Sequence, residues 1–202
     1  LDMEAARSAR IDTLDTRSAE ETLELVAKEL RDLPAGSRPA TIQGFGHRLS
    51  NWPRVPTVAE LDAVTEEVPT LLISGDVHSG WLNSAALRVF GLPGASAQDP
   101  GAPMKEDPWF ALLDRLDEVP GTQELRESGY RQVLADMLSR GITGVVDMSW
   151  SEDPDDWPRR LRTMAEQGVL PQVLPRIRIG VYRDKLERWI AKGLRTGTAL
   201  AG

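Results

Sequence analysis

Cysteine is absent from the 202-residue chain, and histidine occurs only twice, at His47 and His78. The first absence excludes disulfides, a thiol nucleophile, iron–sulfur ligation and thiolate zinc sites. The second means that histidines alone cannot build a three-histidine metal centre. Long apolar runs are also lacking. The longest, Trp109 to Leu113, falls far short of the roughly 20 residues that cross a bilayer. Positive charge is in deficit, with 24 Lys and Arg against 31 Asp and Glu, so the formal charge is −7. No basic footprint for nucleic acid follows from that balance, and neither a nucleic acid nor a membrane is an expected partner. No apolar stretch opens the chain, so no signal peptide is expected and a cytoplasmic location is. Position 1 is Leu, which leads to the expectation of a piece of a longer protein.

What is present reads as a folded α/β domain. Hydrophobic residues make up 41% and charged residues 27%, a balance that argues against disorder. Ser18 and Glu21 are spaced as a capping box, and Leu23, Val26, Ala27 and Leu30 then mark one apolar helix face up to Leu33. Thr41-Ile42-Gln43 reads as a short strand entering the turn Gly44-Phe45-Gly46. Thr57 and Glu60 form a second capping box before a short helix, and Thr70 to Ser74 reads as a buried strand. Gly75 to Gly80 reads as a polar loop, Trp81 to Phe90 as a helix that Gly91 stops, and Leu92 to Pro108 as a linker. Trp109 to Leu116 is expected to be helical.

From Gln123 onward the pattern is helix to Arg140, strand Ile142 to Met148, helix Asp156 to Gln167, strand Val173 to Tyr182 and helix Asp184 to Leu194. That alternation predicts βαβ units and a parallel sheet, with the Ile142–Met148 strand buried on both faces. The first 15 residues carry no clear period.

The densest chemistry lies in Gly75-Asp76-Val77-His78-Ser79-Gly80-Trp81-Leu82-Asn83-Ser84, where a buried strand gives way to a helix. Ligands bind at such strand ends in open α/β sheets. His78 offers a proton carrier, Asp76 a carboxylate to orient it and Trp81 an aromatic wall. The structural alternative is that Asp76 and Ser79 cap the helix while Trp81 packs in the core. Gly44-Phe45-Gly46-His47-Arg48 follows a strand and allows a close backbone approach, but Leu49 stands where a dinucleotide fingerprint needs its third glycine. His47 and Arg48 therefore face either a ligand or water in a plain turn. Asp147 closes its strand, where barrel strands point to an active face, or simply accepts structural hydrogen bonds. The acids Glu152, Asp153, Asp155 and Asp156 lack the alternating ligand spacing of a calcium loop and suit the start of a helix. No nucleophile elbow, phosphate loop or H-E-x-x-H pair occurs.

The ordered set Gly44-Phe45-Gly46, Trp52-Pro53, Pro56-Thr57, Glu60-Leu61-Asp62-Ala63-Val64, Pro69, Asp76 to Leu87 and Gly91 resembles amidohydrolase family 3. This is the YtcJ-like branch of the amidohydrolase superfamily, which includes N-substituted formamide deformylases. Gly141-Ile142-Thr143-Gly144-Val145-Val146-Asp147 is similar to a strand of that family, and Gly168, Leu170 and Pro171 to the family's next segment. Two positions depart from its usual motifs: Val77 stands between Asp76 and His78 where Gly is frequent, and Val146 precedes Asp147 where His is frequent.

The resemblance implies a partial TIM-like barrel of βα units with an α/β insertion subdomain. Residues 1–120 would be the insertion after the first barrel strand, and residues 121–202 a segment of the barrel. It further implies a metal-dependent hydrolase acting on a small amide-type substrate, with a divalent metal, zinc first, in the intact enzyme. The family's metal-ligand motifs do not occur here, so this chain alone is expected to hold no catalytic metal and to be inactive. His78 and Asp76 are the implied catalytic residues, with His47, Trp81, Asn83 and Asp147 on the substrate. Exposed strand edges would be covered by self-association or by the rest of the parent chain. The alternative is a self-contained, non-enzymatic α/β binding or interaction module.

Overall fold

The computed structural model describes residues 1–96, 98–148, 153–170 and 173–200. The chain divides into two compact units, Ala6–Arg126 and Leu1–Ala5 with Glu127–Gly202. The first five residues thus group with the C-terminal part of the chain. Helix α1 (Asp2–Ser8) and strand β1 (Ile11–Asp12) occupy the stretch where no period is visible. Elements this short carry too few residues to display one.

In the Ala6–Arg126 unit, Ser18 caps α2 (Ala19–Arg31) by accepting the Glu21 N–H. The Glu21 carboxylate reaches back one residue further than a strict capping box would have it, to the Arg17 N–H at 2.7 Å. Ala19, Thr22 and Val26 face the interior. Strand β2 (Ile42–Phe45) is buried throughout, and Gly44 and Phe45 belong to it, not to a turn. Helix α3 (Val58–Thr65) opens with the full Thr57/Glu60 capping box. Arg54 ties that box to α2, bridging Glu20 at 2.6 Å and Glu60 at 2.5 Å. Strand β3 (Thr70–Ile73) follows and is fully buried.

The expected helix from Trp81 to Phe90 is divided. Ser79–Leu82 is strand β4, antiparallel to β3 with Leu72 opposite Trp81, and only Ser84–Val89 is helical, as α4. Pairing with β3 satisfies the β4 backbone and overrides the local helical pattern. The supposed linker also contains structure: β5 (Met104–Lys105) pairs with β4, and α5 (Glu106–Leu113) begins three residues before Trp109. The sheet order is β1-β2-β3-β4-β5, parallel across the first three strands and antiparallel across the last two.

Asn83 joins these pieces. Its side chain is wholly buried. Oδ1 accepts the N–H groups of Thr70 (3.0 Å) and Ala86 (2.8 Å), while Nδ2 donates to Thr65 Oγ1 (2.9 Å) and to the carbonyls of Glu66 (3.3 Å) and Val68 (2.8 Å). It is at once the N-cap of α4, the terminator of the loop after α3 and a partner at the start of β3.

Helix α6 (Thr122–Ser139) leads into the second unit, where β6 (Gly144–Asp147), α7 (Asp156–Glu166), β7 (Arg176–Ile179) and α8 (Leu186–Ala191) alternate. β6 and β7 pair in parallel, Gly144 opposite Arg176 and Asp147 opposite Ile179. This is the predicted βαβ unit. Val145, Ile177 and Ile179 pack against a cluster that includes Tyr130, Leu134, Trp157 and Met164. The other face is open, with Val146 65% exposed, so β6 is not buried on both sides as its composition suggests. Among the described residues no helix is long and apolar enough to cross a membrane.

Replacing Asn83 with Leu keeps the volume but strands at least Thr70 N–H and Ala86 N–H in the core. The expected cost is about 3 kcal/mol, from buried groups left unpaired. Urea unfolding of the Asn83→Leu variant, with an unchanged slope and a lower midpoint, checks it.

Candidate functional site

Parallel strands β1, β2 and β3 end side by side, and their last residues interlock. Thr13 N–H donates to the Phe45 carbonyl, Gly46 N–H to Ile73 and Gly75 N–H to His47. The Thr13 hydroxyl accepts the His47 N–H at 2.9 Å. Gly46 has φ +124°, and a Cβ there would sit 2.8 Å from Leu14 N. A Cβ on Gly75 would sit 2.6 Å from the Gly46 carbonyl oxygen. The two glycines are therefore required by crossing backbones, the close approach that sequence suggests for Gly46 alone.

His47 points inward from this crossing and is completely buried. Its ring lies 5.2 Å from that of Trp52, which in turn meets Trp81 edge-on at 6.0 Å. Neither His47 ring nitrogen has a hydrogen-bond partner among the described residues. Burial pushes its pKa down to about 4, against a small opposing pull from Asp76. His47 is thus a neutral imidazole.

Beyond β3 the chain makes a tight loop into β4. The Ser74 hydroxyl donates to Asp76 Oδ1 at 2.6 Å and accepts the Ser79 N–H at 3.0 Å. Asp76 Oδ1 also takes the His78 backbone N–H at 3.0 Å. The Ser74 hydroxyl, and after it the His78 amide and imidazole, hold the Asp76 carboxyl below the usual carboxylate range in spite of partial burial. Val77 is driven to φ +67°, an unusual conformation for a β-branched residue. Its carbonyl is held by Trp109 Nε1 at 2.9 Å. The loop delivers His78 to the surface, where its side chain is 58% exposed. Its Nδ1 lies 3.2 Å from Glu106 Oε2, and its ring meets Phe110 edge-on at 5.3 Å.

Asp76 and His78 are therefore brought together, with His47 close behind them. They sit in a strand-to-strand loop, not at the strand-to-helix junction expected from sequence. Asp76 grips the backbone of His78, and the ring is held by Glu106. Trp81 is buried and donates from Nε1 to the Thr57 carbonyl at 2.8 Å, while Asn83 is committed to the core contacts given above. Asp147 belongs to the other unit. It is buried at the end of β6, with Oδ1 2.7 Å from the Leu1 amino nitrogen and Oδ2 accepting Trp157 Nε1 at 2.7 Å. Of the acids before α7, Glu152 lies outside the described residues. Asp153 pairs with Arg159 and Lys192, and Asp156 with Arg159 and Arg160. Glu106 and Phe110 do not stand out in the sequence, although Glu106-Asp107-Pro108 carries the acid-and-proline signal of a helix's first turn.

Among the described residues no three His, Cys, Asp or Glu side chains lie close enough to hold a metal ion. The lone buried His47 and the Glu106-paired His78 do not fit a catalytic metal centre.

The His47 environment has a consequence for stability. The unfolded imidazole titrates near 6.5 and the folded one near 4, so the unfolded state binds the extra proton first. The His47 contribution to stability is therefore complete above about pH 6.5, falls as the pH drops towards 4, and levels off below it; the loss is about 3 kcal/mol. Urea unfolding of the protein and of His47→Phe at a series of pH values isolates this contribution, because the variant lacks the titrating ring.

Comparison with known proteins agrees with this architecture. A family model described as "Amidohydrolase family" matches residues 3–199. An N-substituted formamide deformylase from Arthrobacter pascens is 32% identical over 145 residues, covering 63% of this chain and 26% of that protein. The exoenzymes regulatory protein AepA of Pectobacterium carotovorum subsp. carotovorum is 45% identical over 49 residues, 23% of this chain and 10% of its own length. Two crystal structures share the fold, both of uncharacterized metal-dependent hydrolases. The Pyrococcus horikoshii OT3 protein has a TM-score of 0.67 at 20% identity, and the Pyrococcus furiosus protein 0.64 at 19%. Each is matched over 96% of this chain but only 37% and 38% of its own. The chain thus spans about a quarter or less of the curated relatives and under two fifths of the solved ones. With nearly its whole length matched by the family model, the chain belongs to the amidohydrolase family.

Proposed function

We propose that this chain is part of a metal-dependent amidohydrolase that cleaves an amide or related C–N bond in a small molecule, with water as the other reactant. The N-substituted formamide deformylase relative makes a formamide the first substrate to try. A divalent metal, zinc first, would belong to the intact enzyme and rest on donors other than those this chain brings together. Residues 1–120 are assigned to an insertion that covers the substrate, and residues 121–202 to barrel strands and helices. The observation that carries the reading is the exposed His78 on a strained loop, beside an ionised Asp76, at the C-terminal ends of parallel strands. Strained backbone and exposed titratable groups at such an edge are what functional loops spend stability on.

In this reading His78 meets the substrate and carries a proton. Asp76 holds the loop that presents it. Trp81 and Asn83 support the loop from the core, and His47 offers unpaired ring nitrogens to a polar ligand atom that reaches behind Asp76. Asp147, at the end of β6, is a separate candidate within its own unit.

In the intact enzyme, His78→Ala should lower kcat/KM for an N-substituted formamide by about a hundredfold or more, the usual scale of a lost proton carrier, with metal content unchanged. An unaltered kcat/KM would remove His78 from the reaction.

A further inference from the structure

His78 is held by two side chains of α5 that the proposed chemistry does not use. The first is placed by strand register. Ser79 stands opposite Lys105 in the β4–β5 ladder, so His78 and Glu106 form the next cross-strand pair. The Glu106 N–H confirms the pairing by donating to the His78 carbonyl at 3.0 Å. Across this pair Nδ1 of the imidazole meets Oε2 of the carboxylate at 3.2 Å. Glu106 adopts φ +52°, so its backbone and that of Val77 at +67°, the residue before His78, both sit in the left-handed region. The second side chain is Phe110, four residues along the same helix, whose ring stands at 75° to the imidazole. Asp76 takes the backbone N–H of His78, so the ring contacts come from α5.

An ionised carboxylate can only accept, so the ring nitrogen facing it must carry the hydrogen. Neutral imidazole has one N–H, and the other nitrogen then keeps its lone pair. We infer that Glu106 is a positioning residue for His78: it holds the Nδ1–H tautomer with Nε2 free to accept, and Phe110 fixes the plane of the ring. The inference rests on the reading of His78 as the residue that meets substrate. It specifies the form in which the imidazole waits, as an acceptor of a hydrogen bond or proton at Nε2. Without Glu106 the ring is free to exchange to the tautomer that can only donate at Nε2.

The 202-residue chain holds just two histidines, so selective ¹⁵N-histidine labelling gives a spectrum of His47 and His78 alone. At a pH where both rings are neutral, His78 should show the Nδ1–H tautomer as its major form. In Glu106→Ala the ratio of Nδ1–H to Nε2–H should fall roughly two- to fivefold, the scale of an exposed ionic hydrogen bond. Glu106→Gln, which keeps a carbonyl acceptor without the charge, should lie between the two. Unchanged His47 resonances establish that the core is intact; if they move in the Ala variant, the Gln variant alone decides. The same His78 ratio in the wild type and in the deciding variant would overturn the inference. No substrate enters this measurement. A negative result here therefore removes Glu106 and leaves the hydrolase reading standing, whereas an unaltered kcat/KM in His78→Ala removes His78 from the reaction and leaves the His78–Glu106 contact standing.

Discussion

A single buried carboxamide organises the Ala6–Arg126 unit. Asn83 has no contact with water, and both ends of its amide are used: the oxygen by two backbone N–H groups, the nitrogen by one hydroxyl and two carbonyls. These partners come from the end of α3, the start of β3 and the first turn of α4. Fixing them together sets where β3 begins and where β4 must stop, which in turn sets the β3–β4 register. The loop between those strands, with Asp76 and His78, inherits its position from that register. A buried polar group of this kind stabilises only when every atom is paired, and here every atom is.

Where local chemistry decides, the elements are legible from the residues alone. The Thr57/Glu60 box, the long helix α6 that stops just before Gly141 and the parallel pair on either side of α7 all follow from caps, periodicity and positive-φ glycines. Where a distant strand decides, they are not. Ser79-Gly80 reads as the end of a loop and Trp81-Leu82 as the start of a helix, and only the open edge of β3 makes Ser79–Leu82 a strand. Met104–Lys105 is too short to show alternation, yet it places Glu106 opposite His78. The site has the same split. Asp76 and His78 stand out as residue types in a loop, but their division of labour, backbone for one and ring contacts from α5, depends on a partner 28 residues away.

The second unit shows how far composition can be misread in a strand. Val145 and Val146 are equally apolar, but the helices cover only one side of the two-stranded sheet. Val145 packs inward with Ile177 and Ile179, and Val146 faces out. Asp147 closes the strand by taking Trp157 Nε1, which ties α7 to the end of β6. The indole also meets Tyr130 edge-on, and the Arg160 guanidinium lies 4.0 Å from the centre of that tyrosine ring. An acid at a strand end here is also a packing device, coupling helix to sheet through an aromatic donor.

The crossing of Gly46 with Gly75 divides the surface above the parallel strands into two zones with different freedom to change. At the root, any side chain meets backbone at once, whether Leu14 or the Gly46 carbonyl. A few residues out, the side chains of Arg48 and His78 are exposed. Divergence among proteins built on this scaffold would therefore accumulate at the tips of the loops while their bases stay the same. A change in what is recognised can be made there without rebuilding the sheet beneath it.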